Sequence, residues 1–321
     1  MKTPRLGVVM DPIETILPKK DSTLAMLLAA QKRGWSVAGM DVGDLRLRDG
    51  RAEATMRTLQ VFDDTQHWFE AGEGVDGRLG DLDIVLMRKD PPFNLEYIAA
   101  TYVLERAEEE GVLVVNRPRS LRDANEKIFA SWFPQCCPPT LITCSMPALR
   151  SFHAEHGHIV VKPIDLMGGR SVFVVPPGDM NANVIFEEVT ARGRRFVQAQ
   201  AYISEIAVTG DKRILLIDGE PVPHVLARMP AEGEARANMA AGGRAVGAAL
   251  TERDRWICQQ IGPALRERGL TFVGIDVIGD WLTEVNVTSP TGIRELDKVF
   301  DLDVASTLLD VIERKWHAAK R

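Results

Sequence analysis

The stretch FVGIDVIGDWLTEVNVTSPTGIRE (272–295) decides how this chain is read. Two apolar, alternating runs flank Gly279-Asp280, a turn dipeptide, so a β-hairpin is expected over 271–287. Asp276, Glu284 and Asn286 interrupt the apolar pattern, and all three are hard oxygen donors of the kind Mg²⁺ prefers. Glu284 and Asn286 lie two residues apart and so point to one face. Asp276 is a separate case. A two-residue turn at Gly279-Asp280 sets it opposite Thr283, facing away from Glu284. It joins the other two only if the loop has three residues, Gly279-Asp280-Trp281, or if a β-bulge shifts the register. Metal binding therefore predicts one of those irregularities. Otherwise these are ordinary carboxylates on a solvated strand.

Upstream, VVKPIDLMGGRSVF (160–173) reads as a strand delivering Lys162, a loop with Gly168-Gly169, and a second strand. Glycines let a backbone approach a ligand and turn its N–H groups toward phosphate oxygens, and Lys162 could reach the same oxygens. The same residues could equally form a plain hairpin turn. The segment MPAEGEARANMAAGGR (229–244) has three glycines and few large apolar residues, so a loop is expected, either passive or able to close Arg236, Asn238 and Arg244 over an anion. Lys127, Arg213, Arg228 and Arg88 are scattered cations. Arg88 ends the strand LDIVLMR (82–88), where open α/β sheets bind ligands.

The first ~120 residues alternate strand and helix in a βαβ pattern that implies a parallel sheet. RLGVVM (5–10), WSVAGMDV (35–42), LDIVLMR and VLVVN (112–116) are the strands. A helix capped by Asp21 or Ser22 and another over 94–111 connect them. Ser120, with Asp123 three residues on, suggests the cap of a helix running to Phe133. Beyond the Pro-rich PQCCPP (134–139) the pattern becomes antiparallel-rich. A hairpin turns at Asp218-Gly219, a helix follows Thr251, and a closing helix covers 303–317.

Composition removes several classes. Of 321 residues 45% are hydrophobic and 26% charged, so a globular state is expected and disorder excluded. A formal charge of −6 gives no bulk attraction to nucleic acid. No apolar run approaches the ~18 residues of a membrane span, and MKTPRLGVVMD carries no secretory segment, so a cytoplasmic location is expected. The four cysteines and six histidines form no metal-ligand spacing. A nicotinamide dehydrogenase would need Gly-x-Gly-x-x-Gly after the first strand, and RLGVVMDPIE lacks it.

The order Lys127, Lys162, glycine loop, QAQAYI, DKR, then Asp…Glu-x-Asn resembles the ATP-grasp superfamily. VMDPI (9–13), LMRKDPPF (86–93), NRPRSLRDANEK (116–127), KPIDLMGGRSVF (162–173), DGEPVPHVLARMP (218–230), NMAAGGR (238–244) and 272–295 resemble bacterial glutathione synthetases over nearly the whole chain. The resemblance implies an N-terminal parallel-sheet α/β domain (1–122), then a two-lobed, α+β ATP-grasp fold with a central lobe (123–203) and a C-terminal lobe (204–321) carrying a lid at 229–244. It implies that ATP phosphorylates γ-glutamylcysteine and that glycine attacks the acyl phosphate, giving glutathione, ADP and phosphate. Lys127, Lys162, Gly168 and Gly169 would contact ATP phosphates. Gln200, Ala201, Tyr202 and Ile203 would hold adenine, and Asp211 the ribose. Asp276, Glu284 and Asn286 would bind two Mg²⁺, with Mn²⁺ a substitute. Arg213 and Arg228 would stabilise the transferring phosphoryl group, and Arg236, Asn238 and Arg244 would belong to the lid. Arg88, Asn286, Thr288 and Ser289 would lie near the peptide. It also implies a homotetramer, with no nucleic acid or membrane partner. The alternatives are another ATP-grasp carboxylate–amine ligase, or a nucleotide-binding module without turnover.

Overall fold

The computed structural model describes residues 3–229 and 244–320, the side chain of Arg244 excepted. Residues 230–243 of the lid expected at 229–244, with Arg236 and Asn238, therefore lie outside the described residues.

The N-terminal sheet is built on β1 (Arg5–Val9), β2 (Ser36–Met40), β6 (Ile84–Met87) and β7 (Leu113–Val115), all parallel in the order β2-β1-β6-β7. Ile-Val-Leu-Met in β6 is buried throughout, as a parallel strand covered on both faces must be. Helix α1 (Ser22–Lys32) starts where the Asp21 carboxylate accepts the Leu24 N–H at 2.6 Å, and the chain leaves it through Gly34 at φ 76°. Helix α2 (Leu95–Glu109) is capped in the same way by Asn94. Three strands that the sequence reading did not place extend the sheet with antiparallel pairing: β3 (Leu45–Arg48), β4 (Arg51–Val61) and β5 (Phe69–Arg78). The expected parallel sheet is thus the parallel half of a mixed one.

The helix expected from Ser120 to Phe133 is not formed. Helix α3 spans Pro118–Asp123, and Ser120 lies inside it with its Oγ donating to Arg268 O. The chain then turns, so Lys127 sits in a loop held by the Asn125 side chain, which accepts the Lys127 and Ile128 N–H groups.

The central lobe is a four-stranded antiparallel sheet ordered β10-β9-β11-β8: β8 (Thr140–Thr143), β9 (Ile159–Pro163), β10 (Phe173–Val175) and β11 (Val197–Ala201). Helices α4 (Met146–His156) and α5 (Ala182–Val189) cover one face. After the short α6 (Ile206–Thr209), the C-terminal sheet runs β15-β14-β12-β16-β17, from β12 (Asp211–Ile217), β14 (His224–Met229), β15 (Arg244–Ala249), β16 (Phe272–Ile278) and β17 (Trp281–Asn286), with β13 (Glu220–Pro221) beside β12. Asp218 and Gly219, at φ 52° and 79°, make the expected turn. Helix α7 (Glu252–Glu267) opens on a capping box between Thr251 and Asp254, and α8 (Ile293–Phe300) and α9 (Val304–Ala319) close the chain.

Two apolar clusters each combine residues of the N-terminal sheet and the C-terminal lobe, whereas a third is confined to 149–199 in the central lobe. Asn116 links the first two bodies directly. It donates to Phe272 O and Val287 O at 2.7 and 2.8 Å and accepts the Phe272 N–H at 2.8 Å. The central lobe, with its own core, stands across a cleft from that combined body.

Candidate active site

The cleft has a volume of about 560 Å³ and lies between the central and C-terminal sheets, with the carboxyl end of β6 at one rim. Alternation supplies its walls. In β9, Ile159 and Val161 enter the central core, which turns Val160 and Lys162 to the cleft. In β16 and β17, Ile275, Val277, Leu282 and Val285 enter a core, which leaves Asp276, Glu284 and Asn286 on the cleft side.

The hairpin resolves the register question. Its turn is two residues, with Ile278 opposite Trp281 and Val277 opposite Leu282. Between Val277 and Asp276 the register shifts by one, so Asp276 lies opposite Glu284 and Gly274 opposite Asn286. The bulge residue is Thr283, whose Oγ1 donates to Asp276 O at 3.1 Å. The irregularity that metal binding requires is present, as a bulge.

Each carboxylate is matched by cations. Arg213 grips Asp276 with Nε–Oδ1 at 2.5 Å and Nη2–Oδ2 at 3.0 Å, and Arg228 Nη2 reaches Oδ2 at 2.9 Å. Burial alone would raise the Asp276 carboxyl, but Arg213 and Arg228 hold it well below the usual carboxylate range. Glu284 takes Lys162 at 3.1 Å and Lys127 at 3.7 Å, and these two ammonium groups outweigh burial to lower it as well. Lys127 also donates to Leu166 O at 2.7 Å. Asp211, cross-strand from Arg228 and 2.5 Å from its guanidinium, is pushed up to about 6 by burial.

The third oxygen donor is the carboxamide of Asn286, whose Nδ2 is buried with no hydrogen-bond partner among the described residues. Among the described residues no three His, Cys, Asp or Glu side chains come together as metal ligands. Two carboxylates and a carboxamide on one face, beside two lysines, nevertheless form an all-oxygen set that fits Mg²⁺.

Gly168 and Gly169 line the cleft at φ 68° and 73°, the left-handed region that favours glycine, and having no Cβ they leave the backbone bare there. Gln200 is tied to Thr140 Oγ1 at 3.1 Å, and the Ala201 and Tyr202 N–H groups donate to Pro139 O and His158 O. Ile203 also lines the cleft. Thr288 and Ser289 line the opposite end.

Residues 5–122 match the family model for the prokaryotic glutathione synthetase N-terminal domain, and residues 126–301 match that for the prokaryotic glutathione synthetase ATP-grasp domain. The glutathione synthetase of Pseudomonas putida is 58% identical over 98% of this chain and 99% of its own length, and that of Pseudomonas syringae pv. tomato 56% identical over 98% and 99%. This chain belongs to the prokaryotic glutathione synthetase family. Like other glutathione synthetases it is an ATP-dependent carboxylate–amine ligase that forms glutathione. Its fold also matches a crystal structure of the D-cycloserine synthetase DcsG, at TM-score 0.69 and 15% identity, covering 97% of this chain and 99% of that one.

One expected site residue of this glutathione synthetase is placed elsewhere. Arg88 does not line the cleft. It is buried, with Nε on Thr23 Oγ1 at 3.1 Å, Nη2 on Pro290 O at 3.0 Å, and its guanidinium over the Phe272 ring. Two of its N–H groups are thus taken by neutral oxygens, and through Pro290 O it braces the 288–292 loop from beneath. Among the cleft residues that the sequence did not single out are Lys20, Glu126 and Glu295. Lys20 lies in no quoted motif, and Glu295 only ends the stretch 272–295. Glu126, next to Lys127, accepts three hydrogen bonds from Val287 and Thr288.

Proposed function

We propose that the cleft binds ATP against the central lobe and γ-glutamylcysteine against the 288–292 loop, with Asp276, Glu284 and Asn286 holding Mg²⁺ between them. The observation that carries this reading is Asp276 facing Glu284 across the bulged hairpin, beside Lys127 and Lys162. Lys162 and Lys127 converge on one oxygen of Glu284 and are placed to take phosphate oxygens from it. Arg213 and Arg228 flank Asp276 and are placed to neutralise charge on the transferring phosphoryl group. Bound Mg²⁺, as two ions or with Mn²⁺ in its place, would supply further charge neutralisation to the polyphosphate.

A carboxylate is a poor acyl donor, and phosphorylation gives it a leaving group. The glycine amine then attacks the acyl carbon, the C–O bond to phosphate breaks, and inorganic phosphate departs. No protein nucleophile is needed, so the buried Cys137 and Cys258, whose thiols burial pushes up to about 12, take no part. Arg236, Asn238 and Arg244 belong, in this reading, to a lid that keeps water from the acyl phosphate. Among the described residues no helix is long and apolar enough to cross a membrane. A cytoplasmic homotetramer remains the family expectation, to be checked by sedimentation.

The deciding assay follows ADP release with ATP, Mg²⁺, γ-glutamylcysteine and glycine. ADP release that depends on both the dipeptide and glycine is expected. Release independent of glycine would refute the ligase chemistry proposed for this cleft. Arg236→Ala and Asn238→Ala should raise glycine-independent hydrolysis, and tight coupling in both would remove them from the lid.

A further inference from the structure

Among the described residues strand β17 is the last in its sheet, and its outer edge has no strand to pair with. That edge is buried, and buried N–H groups need acceptors. The chain before β8 supplies them. Cys136 O accepts the Leu282 N–H at 2.8 Å, and Glu126 O accepts that of Val285 at 2.9 Å. Beyond Asn286 the backbone partner runs out and a side chain takes over. Glu126 Oε1 accepts the Val287 N–H at 3.0 Å, the Thr288 N–H at 3.0 Å and the Thr288 hydroxyl at 2.8 Å.

The neighbours of Glu126 face the other way. Asn125 Nδ2 donates to Ile164 O at 3.0 Å, and Lys127 Nζ donates to Leu166 O at 2.7 Å, both on the loop that follows Lys162. Residues 125–127 therefore fasten that loop to the end of β17. On the far side of the same turn, Arg88 holds Pro290 O. Thr288 and Ser289, which line the cleft, are thus fixed from both directions.

We infer that Glu126 is a positioning residue for the acid substrate: its single oxygen sets the 287–289 backbone that forms the peptide end of the cleft. The inference rests on the reading that this end receives γ-glutamylcysteine. What the geometry asks of Glu126 is reach, not charge. All three donors are neutral, and they meet at one oxygen that an amide could equally present.

Two substitutions separate reach from charge. Glu126→Gln keeps the oxygen in place and removes the charge, whereas Glu126→Asp keeps the charge and withdraws the oxygen by about 1.5 Å. Steady-state kinetics should show Glu126→Gln within about threefold of the parent in every constant. Glu126→Asp should raise KM for γ-glutamylcysteine by roughly tenfold, the worth of one net hydrogen bond to a buried donor, with KM for ATP changed by less than about threefold. Glu126→Ala should resemble Glu126→Asp, and if it fails to fold the other pair still decides. Recovery by Asp and not by Gln would overturn the inference, because charge would then be the working property. So would a loss confined to kcat. Hydrogen exchange gives a readout free of substrate: the Val287 and Thr288 amides should be protected in the parent and in Glu126→Gln and lose protection in Glu126→Asp. If the parent releases no ADP with γ-glutamylcysteine, the substrate assignment falls, and unchanged amide protection across all three proteins would separately refute the positioning role.

Discussion

Glu284→Gln should push two kinds of nucleotide binding in opposite directions. In the protein alone, Glu284 Oε1 is shared by Lys162 at 3.1 Å and Lys127 at 3.7 Å. The gross attraction is roughly 5 kcal/mol for the closer pair and somewhat less for the other, at an effective dielectric near 20. Most of that offsets the desolvation of three charges, so the net hold on each lysine is on the order of 1.5–3 kcal/mol. A polyphosphate without metal must pull the lysines off Glu284 and then sit beside the freed carboxylate. A metal-bound nucleotide has no such difficulty, because the carboxylate has a new partner. The amide removes the competition. ATP in EDTA should bind Glu284→Gln at least about tenfold more tightly than the parent, since 1.4 kcal/mol is a factor of ten. Turnover with Mg²⁺ should be abolished while the circular dichroism spectrum stays the same. The ligand-free variant should melt below the parent, its two buried ammonium groups having lost their anion, and saturating metal-free ATP should recover the loss. Titration calorimetry in EDTA at low ionic strength measures the first effect. Equal or weaker binding by the variant would refute the idea that Glu284 guards the lysines.

Arg88→Lys should lower stability by about 2–4 kcal/mol in urea unfolding, because a lysine cannot hold Thr23 Oγ1 and Pro290 O together in this buried setting; unchanged stability with a raised KM for the dipeptide would restore Arg88 as a direct ligand. Gly274→Ala places a Cβ 2.9 Å from the Pro290 Cβ and 3.0 Å from the Arg213 Cδ, so a destabilisation of about 1–3 kcal/mol and a loss of kcat should appear together. Asp297 is raised from an ordinary 3.8 to about 6, chiefly by burial, so the folded state binds its proton more tightly than the unfolded chain does. Its contribution to stability is present below pH 4 and lost as the pH rises to 6. Glu and Asp titrations elsewhere act on both proteins alike, so Asp297→Asn, which keeps the Oδ1 that accepts the Val304 N–H, should gain Tm relative to the parent between pH 4 and 7. A constant Tm difference across that range would contradict the assignment.

The elements legible in the sequence were those whose burial follows a period. The continuous apolar runs of β1 and β6, the Asp21 and Thr251 caps, and the Asp218-Gly219 turn all stand where the pattern puts them. Strand β5 carries no such pattern. FEAGEGVDGR is solvated on both faces, so only its hydrogen bonds to β4 make it a strand. Helix α4 did show a start signal, Ser145 followed by Met-Pro, but only Leu149 and Phe152 of its eleven residues are buried, too few to mark a face. The error over 120–133 has a different origin. Ser120 and Asp123 have the spacing of a capping box, yet the Ser120 hydroxyl goes to Arg268 O, 148 residues away, and tertiary contact overrode the local signal. The contacts of Arg88 were hidden for the same reason, since nothing near it in the chain announces Thr23 or Pro290.

The hairpin at 271–287 shows where local reading stops and burial decides. Gly279-Asp280 favours a two-residue turn, and the structure has one. Continued in simple register, that turn would put Thr283 opposite Asp276. Alternation along β17 would then send Leu282 and Glu284 to one face and Thr283 and Val285 to the other. Leu282 and Val285 would be parted, although both belong in the core, and Glu284 would follow Leu282 into it. The bulge at Thr283 removes the conflict in a single step: Leu282 and Val285 both enter the core, and Glu284 and Asn286 both turn to the cleft with Asp276. The apolar residues and the carboxylates thus demand the same irregularity for independent reasons. A turn residue fixes where a hairpin folds back, but the position of its bulge is set by which side chains cannot be left in water and which cannot be taken out of it.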